Sequence, residues 1–520
     1  TISYSRSIKE HNFTVLAGTS ARENSASGAN ATYLGLQVNN FHDASMNYSL
    51  APANRIAGGF ENQPYRLASW FGRIIYDYAG KYLLTGILRR DGSTKFGADN
   101  QYAYFPSASV GWIATKENFW PTNKVVSFLK VRGSYGITGN DESLGYFQYV
   151  STVSGGSNYV FGNNGIEVGV NPNAPANPAL KWEQTSQADI GIDAVLFRYF
   201  NLTVDLYQKK TTDMLRQIKI PAYIGATSEP FGNIGSLEDK GFEIELGYVN
   251  TIGKVHVNLH GNASYVKNKI TSIGLNSFIT AGNFQASAYE IGRTVVGQPI
   301  ASFYGFKTQG IFQTQADVSN YTGKNGQMIQ PNARPGDFRW ADLDGDGAIT
   351  SADRTFIGDP TPHWAFGFTA SAAWNHFDIV AFAQGVAGNK IFQGLRRLDI
   401  LKANYTTAAL KRWTGPGTSN DYPRLSDDDP NKNFSNPSAF YLEDGSYFRI
   451  KTLQIGYSIP ESLLSKAHIV KLRVYISGNN LVTFTKYSGY DPEIGGGSYS
   501  IDRGIYPQAR SFMAGVNLTF

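Results

Sequence analysis

The chain has 520 residues, a formal net charge of +5 and no cysteine. Without cysteine there is no disulfide scaffold and no thiolate metal site, and a small charge with no basic block gives no footing for nucleic acid. Aromatics make up 14% of the chain, with 55 Gly against 4 Met, a composition of many strands and turns. No apolar run reaches the roughly 18 residues of a transmembrane helix. The opening TISYSRSIKEHNF is not a signal peptide, which leaves a processed N-terminus or a piece of a longer chain.

Period-2 alternation organises the elements. A strand over 1–8 turns near 8–10, and a long loop at 24–65 is followed by segments 66–79 and 81–93 around a turn at 79–82. A moderate loop at 94–102 and a turn at 117–126 precede 127–139, and a long loop at 140–182 leads to 183–197 and 199–212, which turn at 197–200. Beyond loop 213–237, GFEIELGY sets Phe242, Ile244, Leu246 and Tyr248 on one face and Glu243 and Glu245 on the other. After a turn at 251–254, the segment 254–268 alternates Val255, Val257 and Leu259 with His256, Asn258 and His260. The longest loop, 269–361, and another at 391–438 flank a turn at 375–378. A turn at 459–467 leads into 468–484, where Leu472, Val474 and Ile476 alternate with Arg473, Tyr475 and Ser477. Loop 485–508 precedes a last strand that alternates Phe512, Ala514, Val516, Leu518 and Phe520 with Met513, Gly515, Asn517 and Thr519.

Such strands suit a soluble sandwich or an outer-membrane barrel. Length favours the barrel: crossing a bilayer takes about 9–11 tilted residues, whereas sandwich strands run about 5–6. Aromatic strand ends, as in SWFGRIIYDYAGKYLL, suit the membrane interface. Short connections alternate with long ones throughout, as periplasmic turns alternate with extracellular loops. The expected fold is therefore all-β, an antiparallel transmembrane β-barrel with long extracellular loops and short periplasmic turns. Phe512, Val516, Leu518, Leu472, Val474 and Ile476 are expected to face lipid, and Arg473, Asn517 and Thr519 the lumen. About 15 strands are counted, and complete bacterial barrels carry an even number, so residues 1–520 are expected to be the C-terminal part of a larger barrel. On that count residue 1 is extracellular, and residues 1–8 and 509–520 do not pair with each other.

The stretch DLDGDGAITSAD, residues 342–353, has the ligand spacing of an EF-hand loop. Asp342, Asp344 and Asp346 hold the first three ligand positions, and Gly347 the sharp turn. Ala348 offers its carbonyl, Thr350 the ninth position, and Asp353 closes the loop. The closing residue is Asp rather than the longer Glu, and no helical pattern flanks it, so a sensor domain is excluded. Two readings stay open: a structural calcium ion, or an acidic Asp/Gly turn without one. The surrounding loop carries no helix or strand signal strong enough to order it throughout, apart from SFYGFKTQGIF as part of a hairpin. A cation is the constraint that would order it.

Other candidates have plainer readings. His256 and His260 lie ~13 Å apart along a strand, too far for one metal. With Glu243 and Glu245 they read as polar lumen wall. SDDDP at 426–430 reads as a solvated loop, with a second ion site as the weaker alternative. Tyr146, Phe147, Tyr149, Phe231, Phe284, Tyr289, Tyr321, Tyr405 and Tyr490 either stack on ligand or pack loop against loop. No substrate-binding residue and no catalytic residue is assigned.

SWFGRIIYDYAGKYLLTGILRRDGSTKFG, YFPSASVGWIATKENF, LKVRGSYGITGN and WEQTSQADIGIDAVLF resemble the barrel of the SusC/RagA family of TonB-dependent outer-membrane transporters. So do DLDGDGAITSADRTFIGDPTPHWAFGF, YFRIKTLQIGYSIP, VYISGNNLVTFTKYSGYDPE and the closing GVNLTF. The terminal Phe520 resembles the C-terminal aromatic that outer-membrane proteins present to the assembly machinery. The resemblance implies a plugged barrel of about 22 strands. The plug, the TonB box and the first strands would then lie outside this chain. It implies a SusD-like surface lipoprotein as lid, energy from the TonB–ExbB–ExbD complex through that missing region, outer-membrane lipids around the barrel, and an oligosaccharide or peptide as ligand. A dimer of transporter–lipoprotein pairs is within what it covers. The function this points to is TonB-dependent nutrient import without bond chemistry. The alternatives are a passive porin or surface receptor barrel, an outer-membrane enzyme, and a soluble β-rich glycan-binding protein.

Overall fold

A strand whose alternate side chains are apolar is stable only where its two faces meet different surroundings. The computed structural model describes residues 1–520 except 37, 41, 46–51, 62–63, 122, 163–164, 283–288, 396–403, 465–468 and 494–498. Fifteen long strands form one sheet in which each lies beside its neighbours in the chain. They are β1 (Ile2–Ile8), β2 (His11–Asn24), β3 (Tyr65–Tyr78), β4 (Tyr82–Ser93) and β5 (Tyr102–Ile113). Then come β6 (Val126–Asn140), β7 (Glu183–Leu196), β8 (Phe200–Thr212), β9 (Ser236–Ile252) and β10 (Val255–Ser272). The series ends with β11 (Trp364–Trp374), β12 (Phe377–Ala387), β13 (Tyr447–Ser458), β14 (Lys471–Thr485) and β15 (Ser511–Thr519). Pairing is antiparallel from β1 to β4 and from β9 to β15. The order ends on β1 and β15, each with a single neighbour.

The chain divides into two compact units, residues 1–110, 134–186 and 211–235, and residues 111–133, 187–210 and 236–520. In the first, the loops converge on Phe96, Phe105, Leu144, Leu180, Trp182 and Leu215. Beside them Asp141 is buried and accepts hydrogen bonds from Ser93 (2.6 Å) and Tyr65 (3.1 Å).

In the second unit the last strands sort their side chains by face. Ile476 is 63% exposed, Val516 62% and Phe512 77%, and Val474 and Leu518 are exposed with them. Arg473 projects from the opposite face and forms an ion pair with Asp378 of β12. The expected lipid row of β14 and β15 is thus exposed, except Leu472, which is half-buried.

The loops of this unit depart from expectation. Instead of a segment ordered at one point, the described residues of 273–363 fold around buried apolar clusters. Four short strands, Ile279–Ala281, Gly292–Thr294, Ser302–Gly305 and Thr355–Gly358, form a small sheet. Residues 302–312 are part of a hairpin, as expected: Ser302–Gly305 pairs antiparallel with the preceding strand Gly292–Thr294, while Thr308–Ile311 pairs with Phe338–Trp340. A helix, α1 (Gln315–Asn320), starts at a capping box between Thr314 and Asp317. Ile291, Phe303, Phe392, Tyr441 and Ile501 form one buried cluster, and Phe306, Ile311, Phe338 and Trp340 another. The physical reason is that apolar residues from three separate loops share these clusters, so no single loop shows the pattern.

Candidate functional site

The acidic loop belongs to this folded assembly, with residues 343–346 exposed at its surface and Asp353 buried at its end. Asp353 is fully buried, and its carboxylate accepts from the N–H groups of Leu343 and Thr350, both at 2.7 Å. Asp342 accepts from Gly345 (2.7 Å) and Gly347 (3.1 Å). Gly347 has φ +87°, and a Cβ there would run into the Gln327 amide, so the turn requires glycine. Carboxylate oxygens of Asp342, Asp344 and Asp353 lie within 4.8 Å of one another. Two oxygens on one Ca²⁺ sit at most about 5 Å apart, so this spacing fits the ion. Among the described residues no Lys, Arg or His forms an ion pair with them. Asp346 stands outside the cluster and accepts from Ala348 N–H at 2.8 Å, and the Thr350 hydroxyl accepts from Ala352 N–H at 3.1 Å.

Sequence reasoning missed the neighbouring amide network. The free edge of Phe338–Trp340 is paired by side chains in place of a strand. Gln330 accepts from Trp340 N–H (2.8 Å) and donates to Phe338 O (3.0 Å). Asn433 accepts from Phe338 N–H (3.0 Å) and donates to the buried Asp337 (2.8 Å), which also pairs with Arg424. Asn431 donates to Phe338 O at 2.9 Å. Gln330 lies within 10 residues of its partners, but Asn431 and Asn433 lie 93 and 95 residues from Phe338, so no local motif could announce the network.

A cavity of about 190 Å³ opens beside this network. Tyr289, Phe306, Trp340 and Ile349 form its apolar wall, and Asn332, Asn436, Lys432 and Thr350 its polar side. Asn436 is 95% buried, at 5% exposure, and among the described residues its side-chain amide makes no hydrogen bond.

SDDDP is only partly a solvated loop. Asp427 and Asp428 are exposed, but Asp429 is buried and accepts from the N–H groups of Asn433, Phe434 and Ser435. Burial nonetheless pushes its carboxyl above the usual range. Loop aromatics mostly pack: Tyr149 and Phe231 lie against the Leu180 cluster, Tyr289 against Phe306 and Tyr321 against Phe312. Tyr146 and Tyr405 are half-buried, Phe147 and Tyr490 are exposed, and Phe284 lies outside the described residues.

Lower on the sheet, Arg132 of β6 reaches Asp205 (2.7 Å), Asp193 (3.2 Å) and Asp189 (3.3 Å). Asp205, Glu243 and Glu245 line a second cavity of about 520 Å³ with Asn262, Gln384 and Tyr447. His260 pairs with Glu245 at 2.8 Å, and His256 with Thr251 at 2.7 Å. The two histidines share no centre.

A polar inward face, an apolar outward face and loops sorted by side describe a barrel that crosses the outer membrane. The family described as TonB-dependent receptor-like β-barrel matches residues 3–481. The chain belongs to that family. It is 34% identical over its whole length to TonB-dependent receptor P3 of Formosa agariphila and covers 52% of that protein. Over 92% of its length it is 28% identical to TonB-dependent receptor SusC of Bacteroides thetaiotaomicron, covering 45% of it. It superposes over its whole length on the RagAB peptide importer in the closed-closed state, with a TM-score of 0.79 and 25% identity, covering 55% of that chain. The chain thus spans about half the length of the curated relatives it matches. As a TonB-dependent receptor barrel, it is an outer-membrane protein of the SusC/RagA kind, and the proteins it matches are receptors and transporters rather than enzymes.

Proposed function

We propose that the protein imports a bulky nutrient, an oligosaccharide or a peptide, across the outer membrane with energy delivered through TonB. The observation that carries this is the folded loop assembly, with its aromatic and amide-lined cavity, at the extracellular end of a polar-lined sheet. The cavity at Asn436 contacts the ligand. A SusD-like surface lipoprotein closes over these loops, as the likeness to SusC and RagAB supports. Strands outside this chain pair with the open edges of β1 and β15, because unpaired backbone groups in lipid cost several kcal/mol each. The acidic loop holds one calcium ion between Asp342, Asp344 and Asp353. The Ala348 carbonyl, Asp346 and Thr350 complete the set after small rearrangements. The ion staples the loop and takes no part in a conformational switch.

Uptake of labelled oligosaccharides and peptides by cells tests the reading. Loss of uptake is expected when the transporter gene or TonB is deleted. Full uptake without TonB would instead identify a passive porin.

A further inference from the structure

One charged side chain faces the bilayer from the apolar row of β4. That row presents Tyr82, Leu84 and Leu88, all exposed, and its next long side chain is Arg90. The neighbouring Arg89 points the other way and donates to Ser69 and Asp91. Register sets Arg90 opposite Trp70 of β3. Its guanidinium lies 3.9 Å from the Tyr102 ring centre, 5.4 Å from Trp70 and 5.8 Å from Tyr104. Gly92 makes room for this: a Cβ there would stand 2.2 Å from the Tyr102 ring.

The three rings hold the cation without neutralising it. Among the described residues Arg90 has no carboxylate partner and donates no hydrogen bond, and its Nε is buried without one. Eight residues separate it from Tyr82, about 20 Å of height on a tilted strand. The apolar band of such barrels is about 25 Å tall, which puts the Arg90 backbone about 5 Å below its extracellular edge, near enough for the long side chain to reach the headgroups. A guanidinium stacked on aromatic rings with free donors matches a phosphate in charge and in fork geometry.

We propose that Arg90, with Trp70, Tyr102 and Tyr104, binds the phosphate of a lipid headgroup in the extracellular leaflet. Arg90 donates to the phosphate oxygens, and the exposed rings pack against the glycerol or sugar portion below it. The site would tie a lipid to the outside of the barrel at β3–β5.

Native mass spectrometry of the full-length protein with diphosphorylated lipid A, or with the same lipid after phosphate removal, tests this. The wild type is expected to retain the phosphorylated form about tenfold better, equivalent to about 1.4 kcal/mol. Arg90→Gln is expected to abolish the preference, and Arg90→Lys to keep part of it. Inorganic phosphate in excess is expected to leave the lipid bound. An unchanged preference in Arg90→Gln would overturn the proposal, and so would displacement by inorganic phosphate, which would mark a site for the free ion. Heat-modifiable migration reports folding of each variant. Should Arg90→Gln not fold, Tyr102→Leu keeps the charge and removes its nearest ring; a preference equal to wild type there also overturns it.

Discussion

Arg449, 3% exposed at the extracellular end of β13, ties the last loop to the sheet through Asp491 and Glu493. Removing one member of a buried ion pair strands the others, at about 3–5 kcal/mol. Arg449→Met should therefore release residues 486–493, read as faster hydrogen exchange there and unchanged exchange in β13. Burial works against the Asp491 carboxylate, but the Gln508 N–H and Arg449 outweigh it and hold its pKa below the usual range. With the folded value depressed, its contribution is complete above the unfolded value of about 3.9 and is lost as pH falls through the folded value. The clamp should resist pepsin at mildly acidic pH and open only below about pH 4. On the lipid side, Ile476 stands about 13 Å along the tilted β14 from Lys471, near mid-bilayer. Ile476→Arg should cost about 2–4 kcal/mol in urea unfolding from vesicles, and Arg at Val474, nearer the interface, less. In the acidic loop, Asp342→Asn with Asp344→Asn should abolish terbium luminescence titrated by calcium; undiminished binding would remove these residues from the site. Spacing alone named Asp342, Asp344 and Asp353. The buried state of Asp353 and Asp429 could not be read from it, because ligand spacing carries no signal of burial.

Among the elements, the loops of the second unit behave as folded structure, with cores built from loop residues. Trp340 is 2% exposed, fills one core, and donates through its indole to Asn431 O at 3.0 Å. Trp340→Ala should cost about 3–5 kcal/mol. The loss should appear as hydrogen exchange across 306–340 and 424–441, while the barrel keeps its heat-modifiable migration; loss of both would show that loops and sheet unfold as one. The long strands were legible because each repeats one short-range rule for ten or more residues. The short ones, such as Phe338–Trp340, were not. Three residues carry too little periodicity, and this strand's edge is completed by Gln330, Asn431 and Asn433 rather than by a neighbour with a strand signature.

At the scale of the whole molecule, fifteen strands in chain order leave β1 and β15 as the two ends of the sheet. If other strands of the full protein cover those edges, cysteines placed at Ser5 and Met513 should fail to cross-link to each other in the intact outer membrane. A disulfide between the cysteines introduced at positions 5 and 513 would show that the sheet closes on itself. The sequence alone determined the strand number, the sorting of short turns from long loops, the row that faces lipid and the acidic ligand spacing. These depend on neighbours two to twelve residues apart, where alternation and spacing are set directly by covalent geometry. Only the tertiary structure decided that the longest loop folds around shared cores, that Asn436 lines a cavity, and that Arg90 meets Trp70 and Tyr102. Each of these joins residues that separate strands or loops bring together, and the energy of such contacts comes from burial and removal of water, which leave no periodic trace in the chain.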